Sequence, residues 1–357
     1  MCMKNNFYSD KSVLITWLSW FVWSWMWIVL TRMCSHVFWI WSWKYRNSTL
    51  FKEYGLEKNV TFIELDIYDY DKLNSFIEKN NIDIIIHLAA ESEIQSSEEK
   101  IEDSINTNFY WTLNILKSFK INTNISHLLI ITTDKVYCED IWYEHHYTEN
   151  DKLWWNNVYS CGKVLSEKII SFYKEEHLKN RNVLVARPWN ILGWLDFSQN
   201  RIIPNIMRNI FEWERLHINN SLTKKTFVHI LDLISWLLMF IYSKDKWNIH
   251  QDILNFGINW NELLTLDEIL NIYKERISQD TVFHKWNNDT FVLDSSLANW
   301  LLGWKTNYNI EKSLLESFYL YEIFYSSWNI FEEVNLIVDN YFKINKFSFY
   351  GPNNNSL

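Results

Sequence analysis

Glycine is nearly missing from this chain: six in 357 residues, against 22 tryptophans. Average usage is about 7%, and glycine is needed wherever φ is positive or backbone must approach a ligand closely. Proline is rarer still, at three, and no Gly/Ser linker or internal repeat divides the chain. Cys2, Cys34, Cys138 and Cys161 show no CxxC or paired spacing. That argues against a disulfide framework or a thiolate zinc site and suits a reducing cytosol. No basic block stands out in a chain of net charge −9, which argues against nucleic acid or an anionic membrane as partner. His145-His146 with Glu144 has no third ligand at usable spacing, so no metal is expected.

What is present is enough for a large core: 48% hydrophobic residues with 22% charged exclude wholesale disorder. The length suits two lobes or one large α/β domain. Residues 13–31 form an uncharged run between Lys11 and Arg32, long enough to raise a transmembrane reading. The run is too rich in Trp for a lipid core, begins with the β-branched stretch Val13-Leu14-Ile15-Thr16, and is followed by no cleavage pattern. The alternative is strand, phosphate loop and helix. In that reading Trp17, Trp20 and Trp23 fall three apart directly after the strand, and glycine at each would give T-G-x-x-G-F-x-G, a dinucleotide loop.

Further along, apolar runs at His36–Ile40, Val60–Leu65, Ile82–Leu88, His127–Thr132, Val183–Ala186 and Ile253–Phe256 alternate with helical stretches at Tyr70–Lys79, Ser104–Lys120 and Tyr159–Glu176. This alternation predicts a Rossmann-like, doubly wound parallel sheet. Residues 1–190 are expected to be mainly the dinucleotide domain and 191–345 mainly a smaller substrate lobe, with one strand near 253–256 returning to the sheet. Residues 346–357 read as a frayed tail.

Two clusters carry chemistry. Tyr159-Ser-Cys-Gly-Lys163 is a YxxxK pair whose i, i+4 spacing puts both side chains on one helix face. A nearby ammonium favours phenolate, which makes Tyr159 a credible base for a sugar hydroxyl. Thr132-Thr133-Asp134-Lys135-Val136-Tyr137 ends a strand, where open α/β sheets place their ligands.

With these motifs the chain resembles the CDP-glucose 4,6-dehydratase family, nucleotide-sugar dehydratases of the extended short-chain dehydrogenase/reductase group, over roughly residues 11–325. The matches are the Thr132–Tyr137 cluster, Tyr147-Thr-Glu149-Asn150-Asp151 running on to Tyr159 and Lys163, and Arg187-Pro188-Trp189-Asn190-Ile191-Leu192-Gly193. Smaller ones are His87-Leu88-Ala89-Ala90, Thr107-Asn108, Arg201-x-x-Pro204 and Leu302-Gly303-Trp304. The Asp134-Lys135 pair is the discriminating detail, because dTDP-glucose dehydratases carry Asp-Glu there.

The resemblance implies NAD as cofactor, a nucleotide-sugar substrate, a cytoplasmic homodimer or homotetramer, and a place in deoxysugar biosynthesis for lipopolysaccharide O-antigen. Its implied catalytic residues are Thr133, Asp134, Lys135, Tyr159 and Lys163. Trp17, Trp20, Phe21, Trp23, Asp66, Ile67, Leu88, Ala89, Ala90 and Asn108 would contact the cofactor together with Tyr159 and Lys163. Asn190, Arg201 and Lys225 would hold the nucleotide sugar. Lys225 replaces a usual Arg and so lacks the bidentate fork. No acid ends the second strand, and Lys44 and Arg46 could tolerate a 2′-phosphate, although the resemblance favours NAD. Another nucleotide-sugar dehydratase, an epimerase, a non-catalytic nucleotide binder and a membrane-anchored protein stay open as alternatives.

Where the family has glycine this chain has Trp at 17, 20, 23, 39, 111, 154, 155, 189 and 194, and at 213 and 236; Trp25 and Trp304 are family tryptophans. Drift would scatter Ala, Ser and Asn over such sites. A uniform Trp is the mark of UGA codons that the source decodes as glycine, and the Asn-, Ile- and Lys-heavy composition suits an AT-rich genome.

Overall fold

A computed structural model describes residues 6–16, 20–33, 35–41, 61–90, 98–138, 145–218, 222–247, 249–258, 262–277, 281–283, 291–303, 305–326 and 330–344. Trp17, Lys44, Arg46, Glu144, Trp304, the tail from 346, and the side chain of Trp20 lie outside the described set.

Seven parallel strands build the central sheet: β1 (Ser12–Thr16), β2 (His36–Trp41), β3 (Thr61–Glu64), β4 (Ile84–His87), β5 (His127–Ile131), β6 (Asn182–Pro188) and β7 (Ile253–Phe256). Their spatial order is β7-β6-β5-β4-β1-β2-β3. The reversal of direction between β1 and β4 is the switch point of a doubly wound sheet. Strands covered on both faces need no polar alternation: Ile84-Ile85-Ile86-His87 is wholly buried.

The helices of the first half are α1 (Trp20–Arg32), α2 (Tyr70–Lys79), the short α3 (Ile101–Ile105), α4 (Trp111–Ile121) and α5 (Val158–Glu176). The uncharged run that raised a membrane reading divides into β1 and α1, and α1 has only 13 residues. No helix among the described residues is long and apolar enough to cross a membrane. Local signals set the ends. Asp69 accepts from the Lys72 amide at the start of α2, and Asn157 and Ser160 form a reciprocal capping box at the start of α5, each satisfying donors that the helix leaves open.

One expected helix is broken. Ser104–Lys120 is divided by a π-helical turn, Asn106–Tyr110, between α3 and α4. The widened turn brings Asn108 against α5, where a Cβ on Gly162 would lie 2.8 Å from the Asn108 Cβ. That contact is non-local, so no periodicity announced it.

The second half adds α6 (Ile202–Glu212), α7 (Ile230–Lys246), α8 (Leu266–Tyr273), α9 (Ser296–Leu302), α10 (Ile310–Tyr325) and α11 (Ile330–Ile344). Every residue of α7 from Ile230 to Ser243 is buried. It lies against α1 and β6, so it belongs to the layer covering the sheet. Asp232, fully buried on α7, accepts from the amides of Asn307 and Tyr308 and from the Tyr341 hydroxyl at 2.6 Å, which anchors α11. Short strand pairs tie the lobe together, among them Ile191–Leu192 with Val228–His229 and His146–Tyr147 with Val292–Leu293.

Candidate active site

The carboxyl ends of β5 and β6 and the first turns of α5 open onto one cavity of about 470 Å³, within the range of small-ligand sites. Leu88, Ala90, Thr133, Asp134, Lys135, Tyr159, Lys163, Asn190, Arg201 and Lys225 all line it. Leu88 and Lys225, 137 positions apart in sequence, thus meet because parallel strands end on one side.

The polar turn Thr133–Lys135 is tightly tied. The Thr133 hydroxyl donates to Asp134 Oδ1 at 3.0 Å and accepts from the Lys135 amide at 3.3 Å. The Lys135 ammonium lies 3.6 Å from Asp134 Oδ2 and 4.7 Å from the centre of the Phe291 ring. Lys163 Nζ donates to the Ile131 carbonyl at 3.0 Å.

Electrostatics here differ from the sequence reading in one respect. Burial pushes the Tyr159 phenol up to about 12; Thr133, Arg201 and Lys135 act to lower it and Asp134 to raise it. Lys163 itself is pushed down to about 7 by burial, against the pull of Glu167. The spacing put Tyr159 and Lys163 on one face, but it could not show how deeply both are desolvated.

Behind the pair runs a hydrogen-bonded chain. Thr112 donates to the Asn108 carbonyl at 2.8 Å, as does Ser166 at 2.6 Å. The Thr112 hydroxyl proton is thereby committed, so His87 donates to it through Nε2 at 3.2 Å and accepts from Thr16 through Nδ1 at 2.7 Å. Burial, helped by Lys163, lowers the His87 pKa to about 3, and burial lowers that of His127 to about 4. Unfolded histidine binds its proton near 6.5, so the stability contributed by these neutral rings is complete above that pH and is lost on acidification. Stability against thermal unfolding is expected to fall from pH 6.5 to 5, at a rate approaching about 1.4 kcal/mol per pH unit for each ring. A midpoint constant over that interval would contradict it.

The expected cofactor residues divide. Leu88, Ala90, Tyr159 and Lys163 reach the cavity, joined by Val22 and Pro188. Phe21, Trp23, Asp66, Ile67, Ala89 and Asn108 are not among its lining residues. Trp23 is fully buried and stacks on Trp39 with ring centres 4.0 Å apart, so its indole fills the seam between α1 and β2. Asp66 follows β3 and accepts from the Tyr68 amide at 2.9 Å. Asn108 contributes its carbonyl to α5 as described.

Sequence reasoning missed Asp196, a buried carboxylate in the cavity wall. It accepts from Arg201 Nη1 at 3.2 Å and from Ser198. Trp189 and Phe227 also line the wall. No group of three metal-ligating side chains occurs among the described residues.

A parallel sheet with a switch point, a YxxxK pair and a polar turn on the same cavity define a dinucleotide-dependent enzyme of the short-chain dehydrogenase/reductase type. Residues 39–257 match the NAD dependent epimerase/dehydratase family, and the chain belongs to that family. It is 25% identical over 328 residues to CDP-glucose 4,6-dehydratase of Salmonella typhimurium, covering 87% of this chain and 90% of that protein. It is 23% identical to UDP-glucuronate 4-epimerase of Thermodesulfobacterium geofontis, covering 72% and 78%. Among solved structures, dTDP-glucose 4,6-dehydratase of Bacillus anthracis in complex with NAD aligns with a TM-score of 0.74 and 20% identity, over 89% of this chain and 99% of that one.

The family's cofactor is NAD, and the residues on the cavity fit its nicotinamide end. Val22, Leu88, Ala90 and Pro188 supply an apolar wall, with the Tyr159 hydroxyl and Lys163 ammonium as polar groups for a ribose. That combination of apolar lining with a few convergent polar groups is what a cofactor site requires.

Proposed function

We propose that the chain is a nucleotide-sugar 4,6-dehydratase that converts CDP-D-glucose to CDP-4-dehydro-6-deoxy-D-glucose and water. The observation that carries this reading is Asp134 and Lys135 facing the same cavity as Thr133 and Tyr159: an epimerase needs only the second pair, whereas elimination of water also needs an acid and a base.

Bound NAD supplies reversible hydride acceptance at C4 and donation at C6. Lys163 holds the ribose, and Tyr159 takes the 4-hydroxyl proton while Thr133 hydrogen-bonds the same oxygen. The 4-ketone acidifies the C5 proton. A proton passed from Lys135 to Asp134 across their 3.6 Å contact leaves an amine and a carboxylic acid. Lys135 then removes the C5 proton and Asp134 protonates the departing 6-hydroxyl, so water leaves across C5–C6. Lys135, protonated again, returns a proton to C5. Asn190, Arg201 and Lys225 hold the nucleotide sugar, and Asp196 orients Arg201.

The test is incubation of the glycine-restored chain with CDP-glucose and NAD. Accumulation of a 4-keto-6-deoxy sugar is expected. An epimerised hexose would move the assignment to the epimerases, and turnover of dTDP- or UDP-glucose alone would move it to another dehydratase. A cytoplasmic homodimer or homotetramer belongs to the same proposal. It is supported by Leu165 and Phe172, exposed seven residues apart on one face of α5, and sedimentation reads it.

A further inference from the structure

Helix α5 grips the end of β5 at two consecutive residues. Lys163 holds the Ile131 carbonyl at 3.0 Å, and one helical turn later Glu167 accepts from the Thr132 hydroxyl at 2.7 Å. The catalytic turn Thr133–Lys135 starts at the next residue. Glu167 is almost completely buried, so an unpaired carboxylate there would be costly. Arg187 on β6, equally buried, satisfies it. Its Nε donates to Glu167 Oε1 at 2.9 Å and its Nη2 donates to Oε2.

The same guanidinium reaches the far end of the turn. Arg187 Nη1 donates to the Tyr137 hydroxyl at 2.8 Å, and that hydroxyl donates to Asn255 Oδ1 on β7 at 2.6 Å. Arg187 Nη1 also donates to the Glu149 carbonyl at 3.1 Å. Residues on both flanks of the turn, Thr132 and Tyr137, are therefore held by one buried ion pair, and the helix that carries Tyr159 and Lys163 is held by it too.

We propose that Glu167, clamped by Arg187, is a positioning residue that fixes the depth of the Thr133-Asp134-Lys135 turn against Tyr159 and Lys163. Glu167 touches neither substrate nor cofactor; it acts through Thr132 and Arg187. The inference rests on the dehydratase reading for its kinetic consequence but not for its structural one, and the two are tested separately.

Glu167→Gln keeps the shape and removes the charge. Thr132→Val keeps the ion pair and removes its bond to Thr132, together with a longer contact of that hydroxyl to the Ala186 carbonyl at 3.4 Å. In the full glycine-restored chain with CDP-glucose and NAD, kcat is expected to fall about 30-fold in the first variant and about tenfold in the second. KM should stay within about twofold in both, because the substrate-holding residues are untouched. Hydrogen exchange over residues 133–137 should be about tenfold faster in both folded variants. If Glu167→Gln fails to fold, Thr132→Val decides alone. If the glycine-restored chain with neither substitution turns over no nucleotide sugar, the dehydratase reading fails and hydrogen exchange decides the clamp. Unchanged exchange over 133–137, or kcat within about threefold of the unsubstituted chain, overturns the proposal.

Discussion

Tyr159→Phe is expected to lower turnover of the nucleotide sugar about 10³-fold while leaving its binding within about threefold, as loss of a positioned acid–base group does. The substitution removes one oxygen from a ring that is already buried, so packing around it is preserved. The hydroxyl shares its cavity with Thr133 and Lys163. Burial holds the phenol at about 12, so its action as a base depends on the neighbouring cations stabilising phenolate. Initial rates of 4-keto sugar formation, with binding of CDP-glucose measured separately by titration, check this. A variant retaining a third or more of the activity would remove Tyr159 from the mechanism and favour a non-catalytic nucleotide binder.

Glycine at the displaced positions is the second expectation of large effect. Peptide mass spectrometry of protein from its source is expected to find glycine at 17, 20, 23, 39, 213 and 236. In the chain as written, Trp17, Trp20 and Trp23→Gly should strengthen NAD binding by about 10² or more, the worth of one or two charge-assisted hydrogen bonds to a pyrophosphate. The tertiary structure adds support that the motif alone lacked. Trp213 caps α6 with φ at +60° and is 80% exposed, a left-handed site where a side chain costs about 1–2 kcal/mol and glycine costs none. The indole N–H groups of Trp23 and Trp236 are buried with no hydrogen-bond acceptor, each an expense of about 1–3 kcal/mol. Trp25, which the family shares, donates to the Trp194 carbonyl at 2.8 Å. Trp27 behaves like Trp23, although no motif singled it out. Tryptophan mass at positions 17, 20 and 23 in native material would end the recoding account.

The parallel sheet was legible from aliphatic runs because a strand buried on both faces is apolar along its whole length. Ile253–Phe256, far along the chain, was read as a returning strand and pairs with β6. The catalytic turn and YxxxK pair were legible because their spacing is local. The interruption at Asn106–Tyr110 was not, since it answers to Gly162 on another helix. Asp196 was missed because a single acid in a loop shows nothing until Arg201 folds against it.

The sequence by itself determined which segments become strands and helices, and which residues end the strands on the ligand side. Those properties follow from side-chain periodicity and backbone preference within a few residues. Only the tertiary structure decided that burial pushes Lys163 down to about 7, that Trp23 packs on Trp39, and that Glu167 joins Arg187 and the Thr132 hydroxyl beside the Thr133–Lys135 turn. Burial and electrostatic coupling depend on neighbours brought from distant parts of the chain, and no local pattern encodes the distance between them.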